Sequence, residues 1–455
     1  MKPLSSTLLS EADLNFDKLT PSDFINLLKQ RSLIQDVTSK ELTSHCNQPR
    51  CIYVGFDPTS DDLHLGNLMG IVVLRWAQLC GHQPVALIGG ATGMIGDPSG
   101  KSKERTLQTE SELEKNIKGI TKTLSRILTS EKKGIAIPSV KSPIFLNNKS
   151  WFDEFNFLDF LRSVGKNFRM GPMLARDSVS SRLNSEEGLS YTEFSYQVLQ
   201  AYDFYFLCSK HDVTVQAGGS DQWGNITAGI DFIGRKSRVD EYNLEKETSQ
   251  AFGIVWPLLL RKDGKKFGKS EKGAIWLSEV KLSSYEFYQY ILQLDDDEAL
   301  NLLTKLSFIP LPIIDSCRQT APVGSLQRLL AEQLLLFCRG EQAVLDAVQL
   351  TQALQPGKRE HLLTGAEIEA LRAVLPLVSL AMTQVQGENI TTVMMHTGLA
   401  KSKSAARRLI DGGGCYLNGK RLQDSAYVLS SEDYIDGKWL LIASGKRVKV
   451  LLEIV

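Results

Sequence analysis

Two short apolar runs, CIYVGF at 51–56 and QPVALIGG at 83–90, flank LGNLMGIVVLRWAQLCG, whose apolar residues recur at helical spacing up to a stop at Gly81. Neither run alternates apolar with polar residues, so each strand must be buried on both faces. Strand, helix, strand with that burial makes the strands parallel, because a helical crossover joins parallel neighbours and covers one face of their sheet. Further strands are expected at SPIFLNN (142–148) and DVTVQAGG (212–219), with helices at 115–130, 151–165, 191–207 and 223–235. The fold class implied is α/β, a doubly wound parallel sheet of the nucleotide-binding type.

Ahead of this unit, TPSDFINLLKQRSLIQ (20–35) reads as a helix with Thr20 as N-cap and Pro21 in its first turn. After about residue 275 strand signals give way to helical spacing, the first helix opening with a capping box from Ser283 to Glu286. From about 388 the pattern changes again. A basic helix at KSKSAARRLI, the breaker DGGG and CYLNGKRL follow, and Asn418-Gly419 is the dipeptide of a type I′ hairpin. The expected division is a catalytic-type domain over 1–260, a loop over 261–273, an all-α domain over 274–385 and a small α+β module over 388–455.

With 455 residues, 42% of them hydrophobic, the chain can bury several cores. Lys plus Arg and Asp plus Glu number 52 each, so any surface for a polyanion has to be local. The seven cysteines include no C-x-x-C pair, which argues against a zinc site or a disulfide framework and for a reducing compartment. Arg75 interrupts the richest apolar run, so no membrane span is expected. The N-terminus has neither a signal peptide's apolar core nor the arginines of a transit peptide, which makes the cytoplasm the default expectation.

Five stretches can carry chemistry, and each also has an ordinary structural explanation. In YVGFDPTSDDLHLGNL a strand ends near Gly55 and a polar loop leads into a helix beginning near His64. Its N-terminal amides suit a phosphate, and His64 and Asn67 can donate to one, although both can equally be plain helix-start residues. GGATGMIGDPSGKSKERT (89–106) lacks the spacing of a phosphate-cradling P-loop, since Gly96 stands one residue too close to Gly100. Its Asp97, Lys101 and Arg105 can instead face the same crevice and hold a zwitterion, or lie on a solvated turn. In YTEFSYQVLQAYDF, Tyr196, Gln200 and Asp203 fall on one stripe of an otherwise apolar helix, a candidate ligand wall or simply a polar face. VQAGGSDQWGN ends a strand with two glycines and offers Ser220 or Asp221 as a cap for the next helix. RKDGKKFGKSEKG (261–273) is a Lys- and Gly-rich loop whose lysines can clamp a triphosphate or stay in solvent.

In this order the stretches resemble a class I aminoacyl-tRNA synthetase, HLGN matching the HIGH motif and KFGKS the KMSKS motif. The flanking segments narrow the resemblance to the bacterial and organellar tyrosyl-tRNA synthetases, over nearly the whole chain. That family has a Rossmann-like catalytic domain, and its reaction joins L-tyrosine to ATP with Mg²⁺, then passes the tyrosyl group to the 3′ end of tRNA(Tyr). The resemblance implies that Tyr53 and Asp203 hold the substrate phenol, that Asp97, Tyr196 and Gln200 hold its ammonium group, and that Gln216 lies at the end of the same pocket. It implies contacts of Gly55, Asp57, Gly219, Asp221 and Gln222 with the adenylate. Thr59, His64, Lys101, Arg105, Lys266 and Lys269 would meet the leaving phosphates. Asn67 stands where the motif has its final His, which keeps a donor and loses a charge. No metal held by protein ligands, no editing domain and a homodimer are further implications.

The C-terminal module resembles the RNA-binding domain named after the small-ribosomal-subunit protein S-four. Between Gly398 and Arg421, Lys401, Lys403, Arg407, Arg408, Lys420 and Arg421 stand against Asp411 alone, a local basic patch for tRNA. Two rivals share parts of this pattern. One is an enzyme adenylating tryptophan, against which the Tyr53 and Asp203 pair speaks; the other is a non-catalytic RNA-binding scaffold, against which intact His64, Lys266 and Lys269 speak.

Overall fold

A computed structural model describes residues 16–99, 108–129, 141–175, 177–183, 188–238, 250–260, 267–270, 273–320, 322, 324–354, 363, 365–372, 374–445 and 448–455. β1 (Asp36–Val37), β2 (Cys51–Phe56), β3 (Gln83–Ile88), β4 (Ile144–Asn147), β5 (Val213–Gly219) and β6 (Phe252–Trp256) form a six-stranded sheet in the order β1-β6-β5-β2-β3-β4. All neighbours are parallel except the edge strand β1, which runs antiparallel to β6. The chain leaves β2 toward β3 and β4, then returns to build β5 and β6 on the other side of β2. The order therefore reverses between β2 and β5, and a crevice opens at their carboxyl ends, the place where such sheets bind ligands.

The helix Leu68–Leu79 is buried at every residue but Arg75, as its mostly apolar sequence requires of a crossover helix packed under the sheet. The helix Tyr191–His211 begins where the Ser190 side chain accepts a hydrogen bond from the Glu193 amide, and it ends at Asp212, in the left-handed region at φ 53°. Two expected helices differ from their reading. The one at 20–35 is a 3₁₀ turn, Pro21–Asp23, followed by Phe24–Gln30, and stops because Ser32 turns into the left-handed region at φ 55°. The one at 151–165 is broken into Lys149–Phe152 and Phe157–Ser163, since the Asn156 side chain caps a new helix through the Asp159 amide.

β7 (Lys269–Ser270) and β8 (Gly273–Ala274) make a two-stranded ribbon. Beyond it the chain divides between two compact units, one comprising Lys2–Lys281 with Leu294–Gly340, the other Leu282–Gln293 with Glu341–Val455. In the first unit the Arg31 guanidinium ties the helical segment to the sheet layer. It donates to the carbonyls of Thr304, Ser307 and Ile309 and lies 4.6 Å from the Trp76 ring. The second unit is built on β9 (Leu377–Leu380), β10 (Cys415–Leu417), β11 (Lys420–Leu422), β12 (Trp439–Ser444) and β13 (Val448–Ile454), in the order β11-β10-β12-β13-β9.

Apolar clusters lie against this second sheet. Val393, Ala406 and Ile410 pack with Leu440, Ile442 and Leu452. Leu350, Ile368 and Leu371 pack with Trp439, Leu441 and Leu451. Residues 440, 442 and 452 alternate along their strands with 439, 441 and 451, so the two sets cover opposite faces. β9 falls inside the stretch read as all-helical: LVSL is four residues long and only half buried, too short to announce a strand period. The hairpin at Asn418-Gly419 has φ of 50° and 82°, both positive as a type I′ turn demands.

Gly119, in the helix Glu110–Thr129, sits so close to the chain that a Cβ there would lie 1.9 Å from the Asp61 carbonyl oxygen. Backbone cannot yield as a flexible side chain can, so Gly119→Ala should lower stability by about 1–3 kcal/mol, read as a fall of several degrees in Tm. An unchanged Tm would show that the helix and the Asp61 segment are not in this contact.

Candidate active site

A cavity of about 500 Å³ occupies the crevice between β2 and β5. Every proposed site residue of the first unit whose side chain is described lines it. Tyr53 and Gly55 come from β2, Asp57 and Thr59 from the following loop, and His64 and Asn67 from the next helix start. Asp97 comes from the glycine-rich loop, Tyr196, Gln200 and Asp203 from one helical stripe, Gln216 and Gly219 from β5, and Asp221 and Gln222 from the turn after it. Lys101, Arg105 and Lys266 lie outside the described residues. Lys269 is described only as the first residue of β7.

At the closed end, Asp203 is 2% exposed. Its Oδ2 accepts from Asn148 Nδ2 at 3.0 Å and its Oδ1 from Trp151 Nε1 at 2.9 Å. Burial, reinforced by the Asp57 charge, pushes the carboxyl up to about 8, while the two hydrogen bonds pull against that rise. Tyr53 is 1% exposed and its ring lies 5.4 Å from that of Phe204. Burial, with the Asp203 charge, raises its phenol well above the usual range, so it is a neutral O–H. That hydroxyl has no hydrogen-bond partner among the described residues, and neither has Gln216 Oε1. An unsatisfied buried polar group costs about 1–3 kcal/mol, a cost removed when a ligand supplies the missing partner. A polar aromatic ligand with a hydroxyl at its tip meets that requirement.

Farther out, Asp57 is held at both oxygens. Tyr196 donates its hydroxyl to Oδ2 at 2.8 Å and Thr92 to Oδ1 at 2.9 Å. Gly89 makes that arrangement possible, because a Cβ there would stand 2.1 Å from Asp57 Oδ1 and 2.4 Å from Thr92 Oγ1. Asn148 completes a bridge between the two carboxylates: besides Asp203 it donates to Thr92 Oγ1 at 3.0 Å, and its own carbonyl accepts from the Ala91 amide at 2.6 Å. Asp97 accepts from Gln222 Nε2 at 2.6 Å and from the Ser99 amide at 2.9 Å. Four aspartates, Asp57, Asp97, Asp203 and Asp221, line one cavity with no arginine or lysine among the described residues beside them, which makes an electronegative seat for a cationic group.

At the mouth, Gly66 N–H donates to His64 Nδ1 at 3.0 Å, so that nitrogen is the acceptor and the ring proton sits on Nε2. The His64 amide donates to Asn67 Oδ1 at 3.1 Å. Asn67 thus spends its carbonyl on capping the helix and keeps only its amide nitrogen for a ligand. Gly268, at φ 95°, packs so closely that a Cβ would lie 2.8 Å from the Gly66 amide nitrogen, which sets Gly268 directly against the helix start.

Sequence reasoning missed Asn148, Trp151 and Thr92. Thr92 lies inside the glycine-rich stretch but was not picked out there, while Asn148 and Trp151 fall outside the five stretches and acquire their role through a contact with Asp203 more than fifty positions away. The other candidates lie in the second unit. Lys401, Lys403, Arg407, Arg408, Lys420 and Arg421 are all exposed, the first four on or just before the helix Lys403–Asp411, which Ser402 caps. Arg421 also donates Nε–H to the Gly413 carbonyl at 2.8 Å.

Comparison with known proteins gives the geometry a context. A family model described as tRNA synthetases class I (W and Y) matches residues 45–354, and one for a tyrosine–tRNA ligase SYY-like C-terminal domain matches 367–452. The chain is 45% identical over 439 residues to a tyrosine–tRNA ligase of Protochlamydia amoebophila, covering 95% of this chain and 99% of that protein. It is 44% identical to the chloroplastic/mitochondrial tyrosine–tRNA ligase of Arabidopsis thaliana, covering 94% and 83% respectively. A C-terminally truncated mitochondrial tyrosyl-tRNA synthetase of Aspergillus nidulans superposes with a TM-score of 0.64 at 28% identity, covering 72% of this chain and 92% of that one.

Removing a donor from a buried carboxylate disfavours its ionised form. Asn148→Ala should therefore move the Asp203 titration above its starting value of about 8, followed by ¹³C NMR of the carboxyl carbon. A downward move would mean that Asn148 does not hold the charged form.

Proposed function

We propose a residue-level account from one premise: the chain belongs to the class I tRNA synthetases (W and Y) and is a tyrosine–tRNA ligase, with tyrosine, ATP and tRNA as its substrates. The observation that carries the account is the buried, unpartnered Tyr53 hydroxyl in the cavity that also holds the Asp203 carboxylate. Substrate tyrosine enters ring first. Its phenol O–H donates to ionised Asp203, and Tyr53 donates to the phenol oxygen, which gives the Tyr53 hydroxyl the partner it lacks and Asp203 a donor beyond Asn148 and Trp151. Phenylalanine would leave the Tyr53 hydroxyl unmatched and give Asp203 no further donor. The ammonium group sits among Asp97, Tyr196 and Gln200; Tyr196, already donating to Asp57, has a lone pair free to accept. Gln216, whose Oε1 awaits a donor, completes the pocket.

The substrate carboxylate is thereby presented to the α-phosphorus of ATP, over Gly55, Asp57, Gly219, Asp221 and Gln222. One carboxylate oxygen forms the new bond to phosphorus, and the bond to the bridging oxygen breaks with its electron pair leaving on pyrophosphate. The protein need supply only alignment and charge neutralisation. His64 Nε2–H, Thr59 and the Asn67 amide would donate to the departing phosphates, with Lys101, Arg105, Lys266 and Lys269 as cations and Mg²⁺ accompanying the nucleotide. A ribose hydroxyl at the tRNA 3′ end then attacks the tyrosyl carbonyl, and AMP leaves. We assign tRNA binding outside the catalytic cleft to the exposed basic residues 401, 403, 407, 408, 420 and 421.

A homodimer is supported by exposed Phe157, Leu158, Met170, Leu174 and Tyr191, apolar surface that a second copy would cover. The cytoplasmic reading is supported by cysteines that are all free.

Tyrosine-dependent ATP–pyrophosphate exchange tests the central assignment. Asp203→Ala should abolish it, by more than about 10²-fold, through loss of the buried phenol partner. Lys403→Ala should leave exchange intact and weaken tRNA charging several-fold at physiological salt, less so at low salt. Loss of exchange in Lys403→Ala would refute this division of labour.

The pH dependence of tyrosine binding follows from the raised Asp203 value. Below about 8 the empty pocket holds a proton on Asp203 that the incoming phenol O–H must displace. Binding then releases a proton, and affinity should rise several-fold per pH unit from 6 to 8. Equilibrium dialysis should show that slope in the native enzyme and its loss in Asp203→Asn; a flat profile in the native enzyme would contradict it.

A further inference from the structure

The backbone carbonyls of Trp276, Leu277 and Ser278 are all taken by arginine. Arg339, the last residue of the helix Ser325–Arg339, donates Nη2–H to Trp276 O at 3.1 Å and to Ser278 O at 3.3 Å, and Nε–H to Leu277 O at 3.1 Å. Arg126, from the helix Glu110–Thr129, adds Nη2–H to Leu277 O at 3.2 Å. Burial lowers the Arg339 guanidinium to about 10, which leaves it charged at neutral pH.

The other edge of this segment is the segment that carries His64. Leu65 N–H donates to Ile275 O and Leu277 N–H to Leu63 O, both at 2.8 Å, so His64 stands opposite Trp276 in an antiparallel bridge. Asp62 fastens the same junction, accepting from the Ser278 amide at 3.1 Å, from the Leu63 amide at 2.8 Å and from Thr123 Oγ1 at 2.7 Å. A planar fork of donors from one helix end thus fixes a strip of backbone whose other side fixes the residue proposed to meet the leaving phosphates. Neither arginine, nor Asp62, nor Trp276–Ser278 lines the cavity; of this junction only His64 does.

We propose that Arg339 is a positioning residue for tyrosyl-adenylate formation: by holding the carbonyls of Trp276–Ser278 it sets the backbone of Leu63–Leu65, and with it the direction of the His64 Nε2–H donor. The inference rests on the reading of His64 as a phosphate donor. It makes the helix Ser325–Arg339 part of the catalytic apparatus although it carries no substrate contact. Lysine keeps the charge at position 339 but, as a point donor on a flexible stem, cannot reproduce a fork across three successive carbonyls. Misplacing a catalytic group by about 1 Å costs on the order of 10²-fold in rate.

The test is a double-mutant cycle in tyrosine-dependent pyrophosphate exchange on the full-length enzyme, using Arg339→Lys, His64→Ala and the pair. Arg339→Lys should lower kcat about 10–100-fold while the tyrosine dissociation constant, by equilibrium dialysis, stays within twofold of native. On the His64→Ala background the same change should cost less than about threefold, because the group it positions is gone. Arg126→Lys should show the same pattern more weakly, and it replaces Arg339→Lys in the cycle if that variant does not fold. An unchanged kcat in Arg339→Lys, a matching loss of tyrosine affinity, or a full-sized Arg339 effect in the absence of His64 would each overturn the proposal. If His64→Ala alone leaves exchange unchanged, the His64 reading fails first, and the inference falls with it.

Discussion

Burying a carboxylate among aromatic rings is unfavourable unless its oxygens are hydrogen-bonded, and the first unit of this protein is organised around meeting that condition at Asp203. Trp151 and Asn148 supply the donors from the turn after β4, while Phe204 and Tyr53 exclude water. The result is a carboxyl raised to about 8 beside a phenol with no partner, a site incomplete until a hydroxylated ring arrives. Specificity here is an unmet hydrogen-bonding demand, which a purely apolar ring cannot satisfy.

The same donors carry order outward. Asn148 spans Asp203 and Thr92, Thr92 holds Asp57, and Tyr196 closes on Asp57 from the facing helix, so the two ends of the amino-acid site share one set of hydrogen bonds. From Asp57 the chain runs through Thr59 to His64, whose protonation at Nε2 is set by a backbone amide at Nδ1. A ligand that orders the closed end therefore acts on groups already tied to the mouth. The topology makes this economical, because β2 and β5 deliver Tyr53, Gly55, Gln216 and Gly219 to one crevice by their position in the sheet alone.

Much of this was legible in the sequence. The central parallel strands follow from CIYVGF and QPVALIGG, where unbroken apolar residues leave no solvent face, and Asn418-Gly419 forced its own hairpin. The stripe of Tyr196, Gln200 and Asp203 was readable because a helix has a fixed period. What escaped depended on distance in the chain. β1 has two residues and exists only through pairing with β6, and β9 borrows its strand geometry from β13. Asn148 and Trp151 look like an ordinary strand end and helix start until the fold brings Asp203 to them. The helices after residue 281 were visible as helices, yet their partition between two compact units depends on which apolar faces meet, as when Leu350 and Leu371 cover Trp439.

The central claim is that Tyr53 and Asp203 read a single hydroxyl. The most direct measurement is the ratio of kcat/KM for tyrosine to that for phenylalanine in pyrophosphate exchange, compared between the native enzyme and Tyr53→Phe. The account predicts that the ratio falls about tenfold or more, mainly through tyrosine, because the phenol oxygen loses its donor while phenylalanine loses nothing. A ratio unchanged by that substitution would place the recognition of the hydroxyl elsewhere and contradict the account.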